Sequence, residues 1–370
     1  MRGEADKQAT MFSYISPEAR VPATHPLRSV KHWVDKALAQ LSPSFEQMYS
    51  HTGRPSIAPE ILLKSQLLIA FFSVRSERLF CEMLDYNLLF RWFLDIGMEG
   101  RSFDATTFTK NRDRLIEHET VQAFFREVVA LARAQNLLSD DHFSVDGTII
   151  EAWASMKRFQ AKDPDQRRPP TDNDPSNPTY DFRGEKRSND THESQTDPDC
   201  RLYKKARNTT AQLCYLGHTL MENRNGFIVD TELTLATGTA EVDAAQTMVE
   251  RNIPMPTPDQ SSSEKSVGAD KAYHQQGFVR RLIEQRVAPH IARKDGVTTE
   301  GLDDAITATE GYKLSLTLRK RIEEGFGWMK TIGGLYKVNV RGRARVGLQF
   351  ALTAAAYNLI RLANLCPAGA

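Results

Sequence analysis

Residues 143–150 read Phe-Ser-Val-Asp-Gly-Thr-Ile-Ile. The run has strand length and is rich in β-branched side chains, and a strand places alternate residues on opposite faces. Ser144, Asp146 and Thr148 then share one side, and Asp146 projects from a sheet face.

Downstream, residues 213–222 and 227–235 flank Asn223-Arg224-Asn225-Gly226, the composition of a β-hairpin with a four-residue connection. Gly238 and Thr239 lead into a helix over about 242–251, and residues 267–269 form a short strand that ends at Asp270. A helix over 278–285, a last strand over 287–291, a helix over about 316–330 and an apolar helix over 346–365 complete this half. The expected class is α/β, a mixed sheet with helices on its faces.

Upstream, the pattern is helical from Pro26 to about Glu119. Pro59 and Glu60 open an amphipathic run over 61–72, and a second run covers 76–95. Asp104 is a good N-cap for residues 106–115, where Lys110, Arg112 and Arg114 alternate with other residues to give a basic helix. A further helix over 121–136 precedes the expected boundary, which divides an all-helical region 1–136 from a sheet-containing region 137–370. Residues 157–200 turn to Pro, Asp, Asn, Ser, Arg and Lys, too polar to build much core, and read as a loop excursion. Arg201, Lys204, Lys205 and Arg207 close it with a basic cluster.

At 370 residues the chain exceeds the usual single domain. A formal net charge of +1 gives no global attraction to nucleic acid, so any DNA-binding surface must come from local clustering of the 48 basic residues. Four cysteines without a Cys-x-x-Cys pair point to neither a zinc ribbon nor a disulfide framework. Residues 1–10 lack a signal-peptide core and no run approaches about 18 uncharged apolar residues. The expectation is a cytoplasmic protein with no membrane partner.

Asp146 in one strand, Asp270 at the end of another and a Glu in the late helix could converge from distant segments. Carboxylate oxygens are natural ligands for Mg²⁺ or Mn²⁺, and three acids can hold two ions for phosphoryl transfer. In a helix turning about 100° per residue, Leu318, Ile322, Phe326 and Met329 form the apolar stripe, with Arg319, Glu323 and Lys330 along its edge. Glu324 falls roughly 150° from that stripe, which selects Glu323 as the ligand. A lone Asp at a strand end is more commonly a turn or cap residue, and the basic side chains could form a surface ion-pair row.

Five segments together carry a resemblance: HFSVDGTIIEAWASMK, DFRGEKRSNDTHESQTDPDCRLYKK, LGHTLMENRNG, GADKAY and RKRIEEGFGWMKTIGGL. They resemble the DDE transposases of bacterial insertion sequences, in the group named for insertion sequence five, over nearly the whole chain. The resemblance implies a ribonuclease H-like catalytic domain with a mixed five-stranded sheet. It places the first acid on the first strand, the second after the fourth and the Glu on a later helix. Position by position these acids are Asp146, Asp270 and Glu323, and the basic residues around the Glu are Arg319 and Lys330. Leu316 stands where relatives often carry Tyr, so the role of that Tyr is not transferred.

The resemblance also implies two Mg²⁺ or Mn²⁺ ions, cleavage of double-stranded DNA at terminal inverted repeats, strand transfer into target DNA, and a homo-oligomer on DNA in a bacterial cytoplasm. The helix carrying Lys110, Arg112 and Arg114 is the candidate reader of element ends, and Arg341 and Arg343 could hold DNA phosphates. Solvated basic faces are the alternative for both. A nuclease of the same fold fits the same acids, and an inactive transposase-derived DNA-binding protein is a second alternative, against which the intact acids argue.

Overall fold

The computed structural model describes residues 16–48, 56–117, 119–166, 181–182, 185–205, 209–254 and 265–367. Arg207 of the basic cluster and the middle of the polar excursion lie outside them.

A mixed sheet is built from β1 (His142–Glu151), β2 (Arg201–Tyr203), β3 (Gln212–Glu222), β4 (Ile228–Leu235), β5 (Lys265–Ala269) and β6 (Val287–Ile291). The strand order is β6-β5-β1-β3-β2, with β4 also paired to β3. β1 lies between an antiparallel partner, β3, and a parallel one, β5. Nearly every residue of β3 is buried, the pattern of a strand covered on both faces. The sheet has six strands where the resemblance implies five. The additional one is β2, whose three residues follow the polar segment and pair with the start of β3.

The β3–β4 hairpin forms as expected, and its turn is fixed by an acid. Glu222, fully buried, accepts hydrogen bonds from the backbone N–H groups of Ser139, Arg224, Asn225 and Phe227 at 2.9–3.2 Å. Gly226 completes the turn at φ +70°, a left-handed conformation that suits a residue without a side chain.

Helices Leu27–Met48, Pro59–Phe71, Glu77–Tyr86, Leu88–Phe93, Ala105–Glu117 and Thr120–Ala134 precede the sheet. The expected single run over 76–95 is two helices, because the Asn87 side chain accepts from Phe90 N–H and caps a new start. The chain crosses from helices to sheet near residue 136, but one apolar core runs from Val21 to Ala363 through both. The last helix, Arg343–Leu365, joins them by packing on β4, Leu27–Met48 and Thr120–Ala134. It is long and apolar enough by composition to cross a bilayer, yet most of it is buried in this core. Its buried Asn358 pairs with Ile228 as a strand would, accepting from the N–H at 3.0 Å and donating to the carbonyl at 2.7 Å.

The described part of the polar excursion contributes short paired strands. Phe159–Ala161 pairs with His192–Ser194, and the buried Asp197 accepts from the hydroxyl of Tyr215 on β3 at 2.8 Å.

Candidate active site

Asp146 lies mid-way along β1, opposite Thr219 of β3. Its Oδ1 accepts from the following amide, Gly147 N–H, at 2.7 Å. Asp270 lies just past the end of β5, where its Oδ1 accepts from Ala272 N–H at 2.7 Å and caps the short turn Lys271–Tyr273. Each acid uses one oxygen on a local amide, which orients the carboxylate and leaves the second oxygen for other work. The cap reading and the ligand reading of Asp270 are thus compatible.

Burial pushes the Asp146 carboxyl up to about 6, and the charge of Asp270 adds to that, while the Gly147 amide, Lys205 and Arg319 oppose it. Glu241, in the first turn of helix Ala240–Asn252, is also pushed up by burial and by Asp270, with Lys205 opposing. The phenol of Tyr273, 1% exposed, is raised by burial and by Asp146, Glu241 and Asp270, against Arg319. Burial lowers the Lys330 ammonium, and the neighbouring Lys205 lowers it further. Three acids, a buried tyrosine and three cations therefore act on one another around the middle of β1 and the end of β5.

Residues 15–114 match the family described as a transposase domain of the DUF772 type. Residues 189–359 match the transposase DDE domain, a span that contains Asp270, Glu323, Arg319 and Lys330. The chain belongs to the DDE transposases. No curated protein matches it. A solved structure described as a piggyBac transposase synaptic complex with hairpin DNA is 8% identical, with 92% of this chain and 76% of that one covered. Its TM-score of 0.40 is too slight a likeness to bear on mechanism.

DDE transposases generally use divalent metal ions. In this transposase the donors fit such an ion: Asp146 and Asp270 offer hard carboxylate oxygens, which Mg²⁺ and Mn²⁺ prefer. Around Asp146, buried polar atoms lack a hydrogen-bond partner among the described residues, namely Thr219 Oγ1, His218 Nδ1, Tyr273 Oη and Arg319 Nε. Such atoms each cost about 1–3 kcal/mol unless a polar occupant satisfies them. Among the described residues no three acidic, His or Cys side chains already converge tightly enough to hold an ion.

Glu323 lies in the first turn of helix Arg321–Thr331. It is exposed, and it is not among the charges that act most strongly on Asp146 or Tyr273. The expected helix over 316–330 is two, Glu310–Leu318 and Arg321–Thr331, with the break at Arg319 and Lys320. Both residues at the break keep right-handed helical dihedrals, and the hydrogen bonds there tighten to the i−3 pattern. Ile322, Phe326 and Met329 are buried as the stripe requires, but Leu318 is half-buried on the preceding helix and Arg319 lies at the break. Glu324 points outward, with Arg361 at 3.8 Å, and Glu323 occupies the same first turn, where a helix N-terminus favours an acid.

Of the expected DNA-facing residues, Lys110, Arg114 and Arg341 are exposed. Arg112 is not a reader. Its side chain is 9% exposed and paired with Glu77 at 2.6 Å and Asp113 at 3.1 Å. Arg343 is exposed but donates to the Leu233 carbonyl at 3.2 Å, with Glu232 at 3.8 Å. His274 is buried and accepts from Lys294 N–H at 2.8 Å.

The raised Asp146 carboxyl has a sign that can be measured. Its folded value, about 6, exceeds the ordinary 3.8, so the fold binds the proton more tightly than the unfolded chain and loses stability as pH rises between those values. Above that window the loss is on the order of 3 kcal/mol. Without divalent metal, Asp146→Asn should be more stable than wild type in urea at about pH 7.5, with a much smaller gap at about pH 4.5. Equal midpoints at both pH values would remove the buried charge from the account.

Proposed function

We propose that this transposase cuts DNA at the ends of an insertion sequence and joins them to target DNA, through a ribonuclease H-like catalytic domain. Asp146, Asp270 and Glu323 are the proposed metal-holding acids, and the element is assigned to the group of insertion sequence five. The observation that carries the reading is the placement of Asp146 on a central strand and Asp270 at the end of its parallel neighbour, close enough for one charge to shift the other.

Water attacks the phosphodiester at the element end, and the 3′ oxygen departs and is protonated. The freed 3′-OH then attacks a target phosphodiester, whose own 3′ oxygen departs, so one phosphodiester replaces another and no ATP is needed. A divalent ion, or a pair of Mg²⁺ or Mn²⁺ ions, supplies Lewis acidity for the entering and leaving oxygens. Arg319, Lys205 and Lys330 hold the phosphate against the acids and offset their mutual repulsion. Lys110, Arg114, Arg341 and Arg343 bind the flanking duplex, and the protein works as a homo-oligomer on DNA in the bacterial cytoplasm.

Glu323, in the first turn of Arg321–Thr331, is the third ligand in this reading. Glu323→Gln should then lower cleavage by roughly a hundredfold or more, while Glu324→Gln stays within about threefold of wild type. Equal, small effects of the two substitutions would remove Glu323 from the set. Cleavage without joining would favour the nuclease reading, and specific DNA binding without either would mark an inactive copy.

A further inference from the structure

Helix Arg321–Thr331 begins without the usual side-chain cap. Among the described residues its N-cap, Lys320, makes no side-chain hydrogen bond to the first turn. The amides of Ile322 and Glu323 reach back three residues, to the Arg319 and Lys320 carbonyls at 3.2 and 3.1 Å. The turn is held instead from outside the helix. Arg321 Nη1 donates to the Asn223 carbonyl at 2.6 Å and to the Arg224 carbonyl at 3.0 Å. Both carbonyls belong to the β3–β4 turn, whose amides Glu222 engages and whose Asn225 carbonyl accepts from Arg361 Nε at 2.6 Å. A buried acid thus takes the donors of this turn and two guanidinium groups take its acceptors, and hydrogen bonds to charged groups are the stronger kind.

Asn223 carries the connection on to β1. It is 2% exposed, its N–H donates to the His142 carbonyl at 3.0 Å, and its Nδ2 donates to Ser144 Oγ at 2.8 Å. Ser144 lies on the same strand face as Asp146, two residues before it. The preceding helix, Glu310–Leu318, is tied to the same place, because the Ser315 hydroxyl and His142 Nε2 are hydrogen-bonded. A continuous set of hydrogen bonds therefore runs from the turn bearing Glu323, through Arg321 and Asn223, to the strand bearing Asp146. At about 100° per residue Arg321 and Glu323 fall on opposite sides of their helix, so Arg321 secures the turn without occupying the side on which Glu323 stands. Glu324, three residues after Arg321 and on its side, has Arg361 at 3.8 Å.

We infer that Arg321 is a positioning residue for the reaction, fastening the first turn of its helix to the β3–β4 turn so that Glu323 is set relative to Asp146. This rests on the reading of Glu323 as the third metal-holding acid. The planar guanidinium meets two adjacent carbonyls, and a lysine ammonium on its flexible stem keeps the charge with less of that orientation.

The test uses the full-length protein, with Mn²⁺ alone titrated calorimetrically and cleavage of element-end DNA followed across Mn²⁺ concentrations. Arg321→Ala should weaken Mn²⁺ binding and slow cleavage, each by roughly tenfold, while DNA binding in EDTA stays within about twofold of wild type. Arg321→Lys should recover part of both losses. The deciding comparison puts Arg321→Ala into Glu323→Gln, where it should cause no further loss, because no acid is left to position. The same fold-loss of cleavage in both backgrounds would overturn the inference alone, as would a loss of DNA binding as large as the loss of cleavage. Wild-type Mn²⁺ affinity and cleavage in Arg321→Ala, with Glu323→Gln defective, would do the same. Wild-type Mn²⁺ affinity and cleavage in Glu323→Gln would overturn the underlying reading of Glu323 as well.

Discussion

Asp270→Asn should reduce metal-dependent cleavage of element-end DNA by roughly a thousandfold or more, while binding of the same DNA is kept. The substitution is well suited to the question because it separates the two roles of this side chain. Asn retains the oxygen that accepts from Ala272 N–H, so the cap on Lys271–Tyr273 persists. What is lost is the negative charge beside Asp146. Asp146→Asn has the same logic, since its amide oxygen can still accept from Gly147 N–H. A gel assay for cleavage and a band-shift assay for binding, run on one preparation, read the two effects separately. Cleavage at the wild-type rate by Asp270→Asn would remove it from the catalytic set.

The largest effect on stability is expected at Glu77. Its carboxylate accepts from Arg112 at 2.6 Å and from the Thr109 hydroxyl at 2.7 Å, tying Glu77–Tyr86 to Ala105–Glu117. Arg112 also reaches Asp113, which Arg345 grips through two nitrogens at 2.7 and 3.1 Å. This chain of charges fastens the N-terminal helices to the start of Arg343–Leu365. Glu77→Ala leaves the Arg112 guanidinium buried with only Asp113 beside it, and should cost about 3–5 kcal/mol. Removing both charges, as in Glu77→Leu with Arg112→Met, should recover most of that loss. Urea denaturation distinguishes the cases, and additive losses in the double variant would mean that packing, not the unpaired charge, sets the cost.

The strands were legible because alternation is a local property. Residues 143–150 fall inside β1, the hairpin strands agree within about a residue, and the 287–291 strand is matched in full. Asp146 and Asp270 were legible for the same reason, each being tied to the strand that positions it. Two features were readable but needed more of the helical period. Lys110 and Arg114 share a face at about 100° per residue, whereas Arg112 falls on the opposite one, where it is buried. Asn87 is likewise a cap signal inside the 76–95 run.

Other features depend on tertiary contact. The break at Arg319 and Lys320 has no Pro or Gly to announce it. β2 is too short to stand out after a polar segment. The continuous core is a property of the final helix, which by sequence position belongs to the sheet-containing half and is shared by both halves.

The central claim is that these acids make and break phosphodiester bonds in DNA. The most direct measurement supplies a pre-cleaved duplex ending in the inverted repeat found beside the gene, with supercoiled plasmid and Mg²⁺ or Mn²⁺. The account predicts covalent joining of the 3′ end to the plasmid, dependent on metal and lost in Asp146→Asn and Asp270→Asn. Joining that persists in those variants, or that proceeds in EDTA, would contradict it.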